Sequence, residues 1–167
     1  TDNKVKTLEE LKSICRDLRD EDKKIVHCHG VFDLLHVGHI KHFEEAASFG
    51  DVLVVTITED QFVNKGPHRP AFTSQLRLAF LASIEVIDYV AVSTQQQSLQ
   101  VIETICPDYY VKGADYKDME KDLTGGIYCE KAAVEAGGGQ LVFTDDIVFS
   151  SSQLINRYIS PFPKEVN

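Results

Sequence analysis

Apolar residues along the chain fall into two rhythms. Five short runs, Lys24 to Cys28, Val52 to Ile57, Tyr89 to Val92, Tyr109 to Val111 and Leu141 to Phe143, are nearly continuous in aliphatic or aromatic character. Runs that short and that apolar on both faces predict strands buried within a parallel sheet. Between them the spacing changes to three and four residues. Val37 to Ala47 predicts one helix and Thr73 to Ser83 another, with Leu76, Ala79, Phe80 and Ser83 on a common face. Near the amino terminus, Thr7-Leu8-Glu9-Glu10 fits a capping box, and Leu8, Leu11, Cys15 and Leu18 follow at helical spacing, which predicts an amphipathic helix outside the core. Strands alternating with helices imply an α/β fold: a doubly wound, five-stranded parallel sheet with helices on both faces. Ligands of such a sheet sit above the carboxyl ends of its strands.

Punctuation sets the boundaries. Gly137-Gly138-Gly139 follows a helical pattern and reads as a helix stop and turn, without chemistry of its own. A last helix is expected after Ser150-Ser151-Ser152, broken by Pro161-Phe162-Pro163. Residues 1–160 are expected to form one domain, with an N-terminal helix in 1–22 and the core in 24–159, and 161–167 a tail or linker. The 167 residues, 43% of them hydrophobic, suffice for one core without staples. The net charge of −9 argues against a broad electrostatic grip on nucleic acid or an anionic membrane. Any phosphate site must be local. Cys15, Cys28, Cys106 and Cys129 form no C-x-x-C pair, so neither a disulfide framework nor an all-cysteine zinc site is suggested. No apolar run approaches the roughly 20 residues that span a bilayer, and no signal-peptide pattern opens the chain. The cytoplasm is the expected compartment.

The most informative stretch is Gly30-Val31-Phe32-Asp33-Leu34-Leu35-His36-Val37-Gly38-His39, at the junction of the first strand and the helix that follows. Such a junction aims backbone N–H groups and the positive end of a helix dipole at whatever lies above it, a natural seat for phosphate. His36 and His39, three apart, lie on one side of the first helical turn. A metal reading needs a third ligand, which His29 could supply on spacing grounds; ordinary structural histidines are the remaining alternative. Gly30, Asp33 and Gly38 fit close approach of the backbone to phosphate better than a metal cage. The chain is therefore expected to handle a nucleotide. His27 and His42 are read as structural.

GVFDLLHVGH resembles the HxGH signature of the cytidylyltransferase-like nucleotidyltransferases, and Ile40-Lys41 extends the likeness to members acting on small phosphorylated alcohols and sugars. The resemblance implies a Rossmann-like form of the doubly wound sheet. Class I aminoacyl-tRNA synthetases carry a related HIGH motif, but this chain is short for one and lacks a KMSKS-like loop. No G-x-G-x-x-G follows the first strand, which disfavours a dinucleotide site. Asn64-Lys65-Gly66-Pro67-His68-Arg69-Pro70 occupies the loop where relatives carry basic residues for the triphosphate and the second substrate. Gln75-Leu76-Arg77 resembles the family's E-x-R or Q-x-R helix, whose Arg reaches toward phosphate. Tyr110-Val111-Lys112-Gly113-Ala114-Asp115-Tyr116-Lys117 resembles the VKGGDY segment of heptose 1-phosphate adenylyltransferases, with Ala114 in place of the second glycine. Phe149-Ser150-Ser151-Ser152 resembles an I-S-T-T or I-S-S-S element that receives phosphate oxygens. Glycerol-3-phosphate and phosphocholine enzymes often place R-T-x-G before it, and Thr144-Asp145-Asp146-Ile147-Val148 stands here instead.

This resemblance implies transfer of a nucleoside monophosphate from a nucleoside triphosphate to a phosphorylated sugar, with release of pyrophosphate. The expected pair is ATP with D-glycero-D-manno-heptose 1-phosphate, for cell-surface polysaccharide precursors. A CTP-dependent enzyme for a polyol phosphate such as glycerol 3-phosphate is the alternative, and a non-catalytic nucleotide-binding module is the other. His36, His39, Lys65 and Arg77 are the implied catalytic residues. Gly30, Val31, Phe32, Gly38, Lys41, Lys112, Gly113, Asp115, Tyr116, Ser150, Ser151 and Ser152 would bind nucleotide, and Asp33, Lys65 and Arg69 the acceptor. Mg²⁺ is expected to arrive with the nucleotide, with no metal site made from protein side chains alone. A homodimer is expected, with fusion to a sugar kinase domain as a further possibility and neither nucleic acid nor membrane as partner.

Overall fold

A computed structural model describes residues 2–66, 68–95, 98–114 and 126–145. The amino-terminal helix α1 (Leu8–Asp20) begins at the capping box: the Glu10 N–H donates to Thr7 Oγ1 at 3.2 Å, and the Thr7 N–H donates to Glu10 Oε2 at 2.7 Å. Two of the orphan donors at the amino end are thereby satisfied. The chain then alternates: β1 (Ile25–Gly30), α2 (Val37–Ala47), β2 (Val52–Thr58), α3 (Ser74–Ala82), β3 (Tyr89–Ser93), α4 (Leu99–Ile105), β4 (Tyr109–Lys112), α5 (Gly126–Ala136) and β5 (Gln140–Phe143). All five predicted strands form, each within two residues of its expected limits.

The strands pair in parallel in the order β3-β2-β1-β4-β5. The winding runs outward from β1 to β3 and then returns to place β4 on the other side of β1. The direction reverses between β1 and β4, and sheets of this kind bind ligands above the carboxyl ends of the strands at such a switch point. At the opposite edge, carboxylates close the ladder. Asp51, Asp88 and Asp108 accept the backbone N–H groups of Lys24, Leu53 and Ile25 at 2.7, 2.8 and 2.9 Å.

Alternation along the strands divides the core in two. Val26, Cys28, Leu53, Val55, Ile57, Val90 and Val111 pack with Phe43 and Ala46 of α2 and with Leu78, Leu81 and Ala82 of α3. Ile25, Val54 and Ala91 face Leu11 and Cys15 of α1 and Ile105 of α4, while Tyr110 meets Ile102 of α4 and Val134 of α5. Helices thus cover both faces, as the pattern predicts.

One expected face is inverted. Leu76 and Phe80 of α3 are 49% and 41% exposed, and the buried residues are Arg77, Leu78, Leu81 and Ala82. The segment is apolar nearly all round, so its periodicity could not select a side; the buried guanidinium of Arg77 decides it. The described residues contain no helix long and apolar enough to cross a membrane. The expected last helix after Ser150-Ser151-Ser152 and the tail 161–167 lie outside the described residues.

Candidate functional site

The loop between β1 and α2 opens with Gly30 and a backbone kink. Phe32 adopts φ of 47°, a left-handed conformation rare for a bulky side chain. The kink folds its ring back over Gly30, where an added Cβ would lie 3.0 Å from the ring. The ring then packs edge-on against His39 and Phe43, with centroid separations of 5.5 and 5.1 Å. Gly30 and Phe32 therefore set the loop's shape. Val31 contributes its carbonyl, which accepts from Arg77 Nη1 at 2.6 Å.

His36 is the N-cap of α2, and Gly38 is buried in the first turn. The His36 and His39 rings stack with centroids 3.9 Å apart. The backbone N–H of His36 donates to His39 Nδ1 at 3.3 Å. A ring nitrogen that accepts carries no proton, so in neutral His39 the proton resides on Nε2. Burial, the neighbouring His36 and His42, and Lys65 together lower the His39 pKa to about 4. Burial also lowers that of His36. Near pH 7 His39 is thus a neutral N–H donor at the positive end of α2, with a fixed tautomer.

The loop after β2 brings cations to the same place. Asp33 is buried, and its carboxylate accepts from Arg69 Nε at 2.7 Å, the Ala71 N–H at 2.8 Å and the Phe72 N–H at 3.0 Å. Burial alone would raise its pKa, but those two backbone donors and Arg69 outweigh it and hold the group below the ordinary carboxylate range. Asp33 is the clasp that fastens 69–72 to the β1 loop. Arg69 is drawn in until its side chain is 18% exposed. Partial desolvation, then Arg69, lowers the Lys65 ammonium, while Asp33 acts in the opposite sense. Lys65 lies within electrostatic reach of His39 on one side and of Arg69 and Asp33 on the other, and His36 stacks on His39, so these residues form one connected group in a chain of net charge −9.

Other expected site residues are placed differently. Arg77 is fully buried and donates to the carbonyls of Phe72 (3.1 Å), Val31 (2.6 Å) and Thr58 (2.8 Å) and to Asp60 Oδ1 (2.6 Å). It ties the β1–α2 loop to both ends of the β2–α3 connection. Lys41 pairs with Glu44 at 2.6 Å on the exposed side of α2. Lys112, at the top of β4, lies 2.8 Å from Glu130 Oε2 of α5. At Gly113 an added Cβ would meet nothing within 4 Å, so its lack of a side chain answers no packing need within the described residues. Asp115, Tyr116, Ser150, Ser151 and Ser152 lie outside the described residues.

His29 does not join His36 and His39. Its Nδ1 is 2.8 Å from Thr56 Oγ1 and its Nε2 3.3 Å from Thr58 Oγ1, on the face of the sheet away from α2. Among the described residues no three His, Cys, Asp or Glu side chains are grouped to hold a metal ion. His27 is buried against Thr56. His42 Nδ1 lies 3.0 Å from Thr144 Oγ1 and links α2 to the turn after β5. Sequence reasoning missed Glu130, a buried carboxylate that also accepts from Tyr110 and Ser98. Its position in an exposed-looking helix gave no signal of that role.

Comparisons with known proteins agree with this fold. Residues 27–157 match the family model described as cytidylyltransferase-like. The chain is similar to the bifunctional protein HldE of Aliarcobacter butzleri (strain RM4018), 42% identical over 123 residues that cover 72% of this chain and 25% of that protein. It is also similar to the bifunctional protein HldE of Syntrophotalea carbinolica, 37% identical over 164 residues covering 96% of this chain and 32% of that protein. The chain spans about a quarter to a third of the length of these relatives. Among solved structures it resembles the lipopolysaccharide core biosynthesis protein from Thermoplasma volcanium GSS1, with a TM-score of 0.62 and 26% identity, covering 75% of this chain and 99% of that one. Pantoate-beta-alanine ligase from Francisella tularensis shares the fold, with a TM-score of 0.59 at 16% identity, covering 84% of this chain and 66% of that one.

Proposed function

The chain belongs to the cytidylyltransferase-like family, and from that membership we propose that it transfers a nucleoside monophosphate from a nucleoside triphosphate to a phosphorylated sugar. The favoured pair is ATP with D-glycero-D-manno-heptose 1-phosphate, supported by the VKGADY segment and the likeness to HldE proteins. One observation carries the reading: His39, neutral and locked with its proton on Nε2, stands with His36, Lys65 and Arg69 at the amino end of α2.

In the reaction an oxygen of the acceptor phosphate attacks the alpha phosphorus in line, a new P–O–P bond forms, and the bond to the beta phosphate breaks to release pyrophosphate. The acceptor oxygen is already anionic, so no base is needed. What the protein must supply is alignment and neutralisation of charge on the departing group. His39 Nε2–H and His36 donate to the tail of the triphosphate, and Lys65 and Arg69 offset its charge. A fixed neutral donor needs no reorganisation as charge develops.

These donors suit anionic oxygens rather than a cation, since both oxygens of the buried Asp33 are engaged. Mg²⁺ would therefore enter with the nucleotide and would offset the repulsion among its phosphate oxygens. A homodimer, a place in the cytoplasm and fusion to a sugar kinase complete the proposal. Pyrophosphate release is measured with ATP, CTP, GTP and UTP against a panel of sugar and polyol phosphates. ATP with heptose 1-phosphate should be fastest; CTP with glycerol 3-phosphate in its place would overturn the substrate assignment. Nucleotide binding with no release across the panel would overturn the activity.

A further inference from the structure

The buried face of α5 carries Ile127, Glu130 and Val134. Two of these are aliphatic, as a face laid on a sheet should be, and the third is a carboxylate only 9% exposed. Three donors from two other elements converge on it. Ser98, the N-cap residue of α4, gives its hydroxyl to Glu130 Oε1 and makes no side-chain cap on its own helix. Tyr110 OH donates to the same oxygen at 2.9 Å. Lys112 Nζ lies 3.1 Å from Oε1 and 2.8 Å from Oε2, and 5.5 Å from the centre of the Tyr110 ring.

A buried ion pair is a costly way to hold a helix on a sheet. Desolvation offsets much of the attraction, and apolar side chains of similar volume commonly serve stability as well or better. The place of the pair in the fold supplies another reason for it. Lys112 is the last residue of β4, and β4 lies beside β1, where the strand order reverses. Sheets of this class bind ligands above that point. Burial and then the Lys112 charge depress the pKa of His29 to about 4, so the ammonium stands within electrostatic reach of the end of β1. One residue further on, an added Cβ at Gly113 would meet nothing within 4 Å among the described residues. Lys112 is thus held at the switch point, next to backbone that no described residue crowds.

We propose that Glu130 is a positioning residue for nucleotide binding: from α5 it fixes the Lys112 ammonium at the β1/β4 switch point, where Lys112 donates to the bound nucleotide. The inference rests on the nucleotidyl-transfer reading above and adds to it a residue that touches no substrate. Lysine has a long, flexible stem, and ordering it at the moment of binding costs affinity. Glu130 orders it beforehand, and Ser98 and Tyr110 hold the carboxylate in turn. The sign of the effect separates positioning from charge. Were charge all that mattered, removing a carboxylate near an anionic ligand would strengthen binding, whereas loss of positioning weakens it.

The test compares the native full chain, Glu130→Gln, Lys112→Met and the double variant by urea denaturation and by calorimetric titration with non-hydrolysable analogues of ATP and CTP. Glu130→Gln keeps an acceptor for Ser98 and Tyr110 but loosens the ammonium, and affinity should fall about fivefold, the effect of ordering one long side chain on binding. Lys112→Met leaves the carboxylate buried without its cation, so the urea midpoint should drop. Its affinity should fall about twentyfold, as for loss of a hydrogen bond from a charged donor. In the double variant the midpoint should recover toward the native value while affinity stays at the Lys112→Met level, because Glu130 has nothing left to position. Unchanged or stronger affinity in Glu130→Gln would overturn the proposal. So would affinities that simply follow the midpoints across the four proteins, or a native protein that binds neither analogue. The expected losses of affinity in a protein that releases no pyrophosphate would uphold the role of Glu130 and count against the transfer reaction alone.

Discussion

Arg77 shows how a single residue changes meaning between sequence and structure. In the chain it resembles an arginine that reaches toward phosphate, whereas in the fold its guanidinium is buried and spends four hydrogen bonds on Phe72, Val31, Thr58 and Asp60. Guanidinium donors arranged in a rigid fork can hold several carbonyls at fixed angles, which no other side chain does. Replacing it by methionine leaves three carbonyls without their donor. Arg77→Met should therefore cost about 3 kcal/mol or more in urea denaturation, with loss of activity following from the loosened loops. An unchanged denaturation midpoint with turnover lost would instead make Arg77 a ligand of the phosphates. His39 is the opposite case: the residue expected from sequence to touch phosphate is only partly buried in the fold, with its tautomer set by a backbone donor.

At the scale of elements, the clasp between the β1 loop and residues 69–72 positions the cations. Asp33→Asn removes the charge that Arg69 and two backbone N–H groups share. Stability should fall by about 2 kcal/mol, and the amides of Ala71 and Phe72 should exchange with solvent markedly faster; unaltered exchange would contradict the clasp. The turn between α5 and β5 depends on a close approach instead. A Cβ on Gly139 would lie 2.1 Å from the Pro107 carbonyl oxygen, so Gly139→Ala must displace backbone. A loss of about 2 kcal/mol or more in the same assay is expected. The strands and α1 were legible in the chain because apolar runs and a capping box are local signals, and local structure obeys them. The burial of α3 was not, because both of its sides are apolar. The site was legible where backbone geometry makes it, at Gly30, His36 and His39. Asp33 as a clasp and Glu130 as an anchor depend on partners 36 to 39 and 18 to 32 residues away, contacts that no spacing rule reveals.

Across the whole molecule, four histidines are held neutral by their surroundings, and that couples stability to pH. His29 and His39 titrate in the folded chain at about 4 instead of 6.5, burial being the largest cause for each. Between those values the unfolded chain binds more protons, so stability falls as pH drops from about 6.5 toward 4. The loss is on the order of 3 kcal/mol for each of the two, read as a falling urea midpoint at pH 6.5, 5.5 and 4.5. A midpoint unchanged over that range would mean that the rings are solvated and charged. In a chain of net charge −9, the proposed phosphate site lies where α2 begins. The most direct test of that point compares pyrophosphate release by the native protein and His39→Ala, with ATP and heptose 1-phosphate both saturating. Turnover should fall about a hundredfold or more while the circular dichroism and melting behaviour stay native. Native-like turnover in a folded His39→Ala protein would contradict the account.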